Sequence, residues 1–203
     1  MSVNAREAIL DAAKAAAQTH GYNGINFRSI GEVVGIKNAS IYYHFPSKAD
    51  LGAAVAERYW QDAAKALDNI REANPEPQQS LKLYPSIFRT SLENGNRLCL
   101  VSFMAAEYQD LPDAVKDQVK KFAEVNIEWL TQVLIAAGSA NEDSCKARAR
   151  AIYAAVAGAQ LIARSRGDIA LFDELIGSYE SAGLISADFA EKLATRAEIH
   201  CLL

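Results

Sequence analysis

The stretch Asn26–Lys48, NFRSIGEVVGIKNASIYYHFPSK, reads as two short helices joined by a tight turn. Asn26 is placed to cap the first helix, and Ile30 and Val34, four apart, give it one apolar face. Gly35 suits its exit, because glycine enters the left-handed conformation without steric cost. Ile36 is placed to pin the turn to a core. The second helix starts near Asn38, and Ile41 and Phe45, again four apart, point back at the first. Pro46 ends it by removing a backbone donor and restricting the residue before it. With the apolar positions turned inward, Lys37, Asn38, Ser40, Tyr42, Tyr43 and His44 are left for the outer face, with Arg28 near the start of the first helix.

That outer face suits a duplex. An asparagine pairs bidentately with an adenine edge, whereas Ser, Tyr, His and Lys suit phosphate oxygens. A helix-turn-helix places its second helix in the major groove to make such contacts. The run Ala39-Ser40-Ile41-Tyr42-Tyr43-His44-Phe45-Pro46-Ser47-Lys48 is preceded by Phe27-Arg28-Ser29-Ile30 and Gly35-Ile36 and followed by Leu51. It resembles the DNA-binding motif of the tetracycline-repressor (TetR) family. That pattern is a small residue, Thr or Ser, an aliphatic, Tyr, any residue, His, Phe, then Ser-Lys. Lys37 departs from it, standing where the family often has Ser, and adds positive charge at the start of the recognition helix.

The resemblance implies an all-α protein with an N-terminal three-helix helix-turn-helix domain over residues 1–48. A C-terminal helical ligand-binding and dimerisation domain would cover 49–203, with a helix from 47 to about 74 connecting the two. It further implies a ligand-responsive transcriptional regulator, a repressor, that binds a pseudo-palindromic operator as a homodimer and is released by a small-molecule inducer. Arg28, Ser40, Tyr42, His44 and Lys48 would contact phosphates, and Lys37, Asn38 and Tyr43 would read bases.

Composition agrees with a helical reading. The chain has 203 residues, enough for a sizeable core, and half are hydrophobic, without the alternation of strands. No run is long and apolar enough to span a bilayer, and the N-terminus lacks the apolar core of a signal peptide, so a cytoplasmic protein is expected. The overall charge of −4 disguises an asymmetry. Residues 1–48 carry five bases (Arg6, Lys14, Arg28, Lys37, Lys48) against three acids (Glu7, Asp11, Glu32), a charge of +2, which leaves −6 for the remainder. A basic head on an acidic body binds nucleic acid at one end. Cys99, Cys145 and Cys201 form neither a disulfide framework nor a zinc spacing, and no metal or cofactor is expected.

Beyond the motif, Asn4 and Glu7 resemble a capping box opening a helix that runs to about His20. Ser47 and Asp50 open the long connecting helix, whose Leu51, Val55, Tyr59, Ala63, Ala66 and Ile70 share one side. At 1.5 Å per residue it would be roughly 35 Å long, a lever or simply a long helix. Residues 78–94 read as a helix interrupted or bent at Pro85. RLCLVSFMAAEYQDLP (97–112) is a short apolar helix and a turn. After Pro112 helical spacing runs to Gly138, with Asn126 facing inward, bonded either to a neighbouring helix or to a polar ligand. Asn141-Glu142-Asp143 caps a helix that reaches Gly167, Gly167-Asp168 reverses the chain, and a final helix is expected over 186–203.

Two further sets of residues follow. Small residues at Ala154–Ala159 and the apolar helix after Asp168 suggest a four-helix dimer seam formed by Ala155, Gly158, Ala159, Ile162, Phe172, Leu175, Ile176 and Tyr179, with an intramolecular core as the alternative. GAQLIARSRGD (158–168) is similar to the dimerisation helices of one branch of the family. NGNRLCLVSFMAAE, around Cys99, resembles the effector segment of the branch that senses electrophiles and unsaturated carboxylates, exemplified by the repressor of N-ethylmaleimide reductase. An effector site lined by Tyr84, Phe88, Cys99, Phe103, Phe122, Asn126 and Trp129 is expected. The flanking Leu98 and Leu100 equally suit an inert buried thiol.

Functions of other classes fare worse. A Cys99-dependent enzyme needs a base, yet His20 and His44 lie in the head and His200 in the tail, and no catalytic signature appears. No catalytic residue is therefore assigned. A non-DNA-binding interaction protein is disfavoured by the intact Ser40, Tyr42, His44 and Lys48.

Overall fold

The computed structural model describes residues 2–138 and 141–186, with side chains from residue 5 onward. These residues form helices and turns, with no strand among them. In order the helices are α1 (Ser2–His20), α2 (Phe27–Val34), α3 (Asn38–His44), α4 (Lys48–Ala73), α5 (Pro77–Leu83), α6 (Ser86–Glu93), α7 (Leu100–Ala106), α8 (Asp113–Ala136), α9 (Glu142–Arg166) and α10 (Ile169–Ser181). Short 3-10 turns follow α1 at Tyr22–Gly24 and α7 at Tyr108–Asp110. None of the described helices is long and apolar enough to cross a membrane.

The chain divides into two packed units. One runs up to Ala63 and takes in Arg97–Ala123; the other is Ala64–Asn96 with the chain from Glu124 onward. The division cuts through α4 and α8. In the first unit α1 packs on α2, α3 and α7. Ile9, Leu10, Ala13 and Ala17 of α1 are buried, as are Ile30, Ile41, Phe45, Leu51 and Val55. Arg58 of α4 pairs with Glu7 at 2.7 Å and with Asp11, both on α1. Trp60 donates its indole N–H to Gln118 of α8 at 2.8 Å.

The second unit centres on α9, which packs against α6 and α10. Arg89 of α6 donates twice to Asp173 of α10, at 2.7 and 2.9 Å. The guanidinium of Arg148 reaches back to the carbonyls of Gly183 and Leu184 just after α10. Asn126 is wholly buried and accepts from the Tyr84 hydroxyl at 3.0 Å, so the inward amide finds its partner on a neighbouring helix.

Local signals placed most boundaries. Asn26 accepts from the N–H groups of Arg28 and Ser29, Asn141 from Ser144, and Asp168 from Ala170 and Leu171. Ser47 and Asp50 bond each other at the head of α4. Of the two outcomes expected at Pro85, the structure shows the interruption, which separates α5 from α6. Asn4 is a correction: α1 already starts at Ser2, so Asn4 lies inside the helix instead of capping it. The expected last helix lies outside the described residues, apart from Ser186.

Candidate nucleic-acid interface

α2 and α3 meet closely because Gly31 carries no side chain. A Cβ there would lie 2.9 Å from the Ile36 carbonyl oxygen and 3.1 Å from the Asn38 side-chain oxygen. Gly35, in the left-handed region at φ 75°, ends α2 and turns the chain into α3. Ile41 and Phe45 then drop into the unit's core. With Ile41 inside α3 and Phe45 at its C-cap both anchored on one side, the remaining groups of the helix turn outward. Tyr43 is 83% exposed and Tyr42 55%, and Lys37, Asn38 and Ser40 are exposed as well. His44 is half-buried, its ring edge-on to that of Tyr43 at 5.2 Å.

The cations are less free than the sequence suggested. Arg28 is exposed but pairs with Glu32 one turn along α2, at 3.3 Å. Lys48 is half-buried, its ammonium 4.6 Å above the Tyr22 ring and donating to the Asn23 carbonyl at 3.5 Å. Burial lowers its pKa, with the Glu107 carboxylate pulling the other way. Arg28, Asn38, Tyr42 and Lys48 nevertheless converge on one shallow concavity of about 350 Å³, shared with Asn23, Ile25, Asn26 and Phe27. The Tyr42 ring packs against that of Phe27 at 4.8 Å, which fixes its direction. Three amides, a phenol and two cations around one hollow suit a phosphate oxygen. Asn23 and Glu107 were not anticipated. Asn23 has no helical pattern to flag it, and Glu107 is 85 residues from the backbone it bonds.

The other expected sites are scattered more widely. Of the effector set, Tyr84, Phe88, Asn126 and Trp129 belong to the second unit, whereas Cys99, Phe103 and Phe122 belong to the first. Trp129 stacks on Tyr84 at 5.9 Å, and its buried indole N–H has no hydrogen-bond partner among the described residues. Cys99 is 2% exposed, between the equally buried Leu98 and Leu100, and occupies the N-cap position of α7. Of the seam set, Ala159, Phe172 and Ile176 are buried within the chain itself. Ala155, Gly158, Leu175 and Tyr179 keep partial exposure, and Ile162 is exposed beside Leu161, which the sequence reading passed over. Among the described residues no three metal-ligating side chains gather.

A family model, that of bacterial regulatory proteins of the tetR family, matches residues 9–55. The HTH-type transcriptional repressor AcnR of Corynebacterium efficiens is 34% identical over 70 residues, 34% of this chain and 36% of the relative. The chain thus spans only about a third of that curated relative. Solved structures extend the likeness. A TetR transcriptional regulator from Legionella pneumophila is 34% identical with a TM-score of 0.81, over 87% of this chain and 95% of that one. A TetR-family regulator from Agrobacterium tumefaciens is 30% identical with a TM-score of 0.80, over 88% and 96%. Escherichia coli NemR in its reduced form, 20% identical at a TM-score of 0.76 over 87% and 96%, shares the fold. With nearly the full length of two solved regulators matched at this identity, and the motif of α2 and α3 inside the matched family model, the chain belongs to the TetR family of bacterial transcriptional regulators.

Proposed function

We propose that the chain is a repressor that binds a pseudo-palindromic operator as a homodimer and lets go when a small molecule binds. The carrying observation is the two-sided character of α3, with Ile41 and Phe45 buried and Tyr42, Tyr43, Asn38 and Ser40 turned to solvent. Lys37, Asn38 and Tyr43 then read base edges, while Arg28, Ser40, Tyr42, His44 and Lys48 hold phosphates. Two copies meet successive major grooves, one helical turn apart. Support for repression comes from AcnR, a transcriptional repressor 34% identical to this chain over 70 residues. Exposed Leu161 and Ile162, with half-buried Ala155, Gly158, Leu175 and Tyr179, support a seam on α9 and α10.

The inducer must bind the released state more tightly, because equal affinity for both states shifts nothing. The unpaired Trp129 N–H supports a ligand that carries a hydrogen-bond acceptor. The likeness of the segment around Cys99 to the electrophile-sensing branch supports an electrophilic inducer, although burial of that thiol opposes access. Selection of binding sites from random duplex DNA tests the proposal, repeated with α,β-unsaturated compounds and on Cys99→Ser. A symmetric consensus is expected, with release lost in the variant. A chain that selects no sequence refutes the operator reading, and release that persists in Cys99→Ser removes the thiol from it.

A further inference from the structure

Glu107, the residue after α7, reaches the connection between α1 and α2. Its Oε2 accepts the Tyr22 backbone N–H at 2.7 Å. Gly21 permits the approach: its φ of 68° lies in the left-handed region, and a Cβ there would sit 2.3–2.5 Å from the Glu107 carboxyl atoms. The Tyr22 ring, itself buried, carries the Lys48 ammonium on its face. Gly52, one turn farther along α4, lies against the same ring, where a Cβ would come within 2.6 Å. A carboxylate at the end of α7 thus fixes a tyrosine, and the tyrosine fixes both the first turn of α4 and its cation.

The geometry points to Glu107 as a positioning residue for DNA binding, which anchors Tyr22 and through its ring holds Lys48 on the rim of the concavity formed with Arg28, Asn38 and Tyr42. This rests on the reading of that concavity as a phosphate seat. A lysine on its flexible stem surrenders rotamer freedom when it meets a phosphate, and a ring held beneath it removes that freedom beforehand. The Tyr22 N–H needs an acceptor, and Glu107 supplies one with charge. What matters at Glu107 is therefore an acceptor oxygen at the right reach, and an amide of the same length provides it.

The test is a salt titration of operator binding by the full-length chain and by Glu107→Ala, Glu107→Gln, Lys48→Ala and the Lys48→Ala/Glu107→Ala double variant, on a duplex taken from random selection. Glu107→Ala is expected to weaken binding about tenfold and to flatten the salt slope by about one unit. Glu107→Gln stays within about twofold of the parent, and Glu107→Ala adds nothing once Lys48 is absent. Additive losses in the double variant, an unchanged slope, or a Glu107→Gln as weak as Glu107→Ala overturns the assignment and leaves Glu107 a prop of the fold. Should Glu107→Ala lack the parent's helical circular dichroism, Glu107→Asp, which withdraws the carboxylate by one methylene, is expected to flatten the slope equally, and a parental slope overturns the role. A parent chain that selects no duplex refutes the DNA reading itself. A parent that binds, with variants that miss these expectations, refutes the Glu107 role alone.

Discussion

At Gly31 the demand for hydrogen in place of a side chain is set by a carbonyl oxygen and an amide that cannot both retreat. Gly31→Ala improves helix propensity by about 1 kcal/mol, yet it pushes α3 away from α2. A net loss of about 1–3 kcal/mol is expected, read from urea unfolding. An unchanged midpoint would mean that α3 relaxes outward freely. On the outer face, Asn38→Ala should relax base preference at one operator position, worth about 1–3 kcal/mol in a competition assay. Identical preference in parent and variant would withdraw its assignment. Lys48→Ala should weaken all duplexes alike and lower the salt slope by about one. Residue-scale features were unevenly legible. Ile30, Ile41 and Phe45 followed from four-residue spacing, and so did the outward tyrosines, whereas Val34, the expected partner of Ile30, stays half-buried. The tethering of Lys48 did not, because its partners Tyr22 and Glu107 come from distant turns that no periodicity joins.

Helix ends were legible wherever a cap was local. Asn26, Asn141 and Asp168 each bond an N–H two or three residues on, so sequence alone located α2, α9 and α10. Asn26→Ala should cost about 1 kcal/mol of unfolding free energy. A value near zero would show water replacing the cap. Pairings between helices lacked such a signal. The joining of α6 to α10 through Arg89 and Asp173 spans 84 residues. The hydrogen bond from Arg89 holds the Asp173 carboxyl below its ordinary value. A depressed carboxyl contributes stability that is present above the unfolded pKa of 3.8 and lost as the pH falls through the lower folded value. The stability difference between parent and Arg89→Ala should therefore be constant from pH 7 to 5 and shrink below about pH 4. A difference that persists at pH 2 would assign the effect to packing of the Arg89 stem.

For the whole molecule, the family resemblance foretold a helical regulator, while the proposed seam draws on the sequence only in part. Helical spacing marks Phe172 and Ile176 as apolar, but only folding shows that α9 and α6 consume them, leaving Leu161 and Ile162 outside. Ile162→Glu should fold as well as the parent, sediment as a monomer, and bind operator about 10²-fold more weakly, because one head loses the tether to the other. A dimer of parental strength would move the seam elsewhere.

The unit that holds α1, α2 and α3 also owns the first sixteen residues of α4 and a detached segment, Arg97–Ala123. Anyone wishing to transplant this protein's operator specificity into another regulator meets that arrangement first. A splice after residue 48 would strand Tyr22 without Glu107 and remove Leu51, Val55 and Arg58 from beneath α1. A working chimera either carries the second segment with the first, or leaves the backbone alone and recuts only the side chains that α3 shows to solvent.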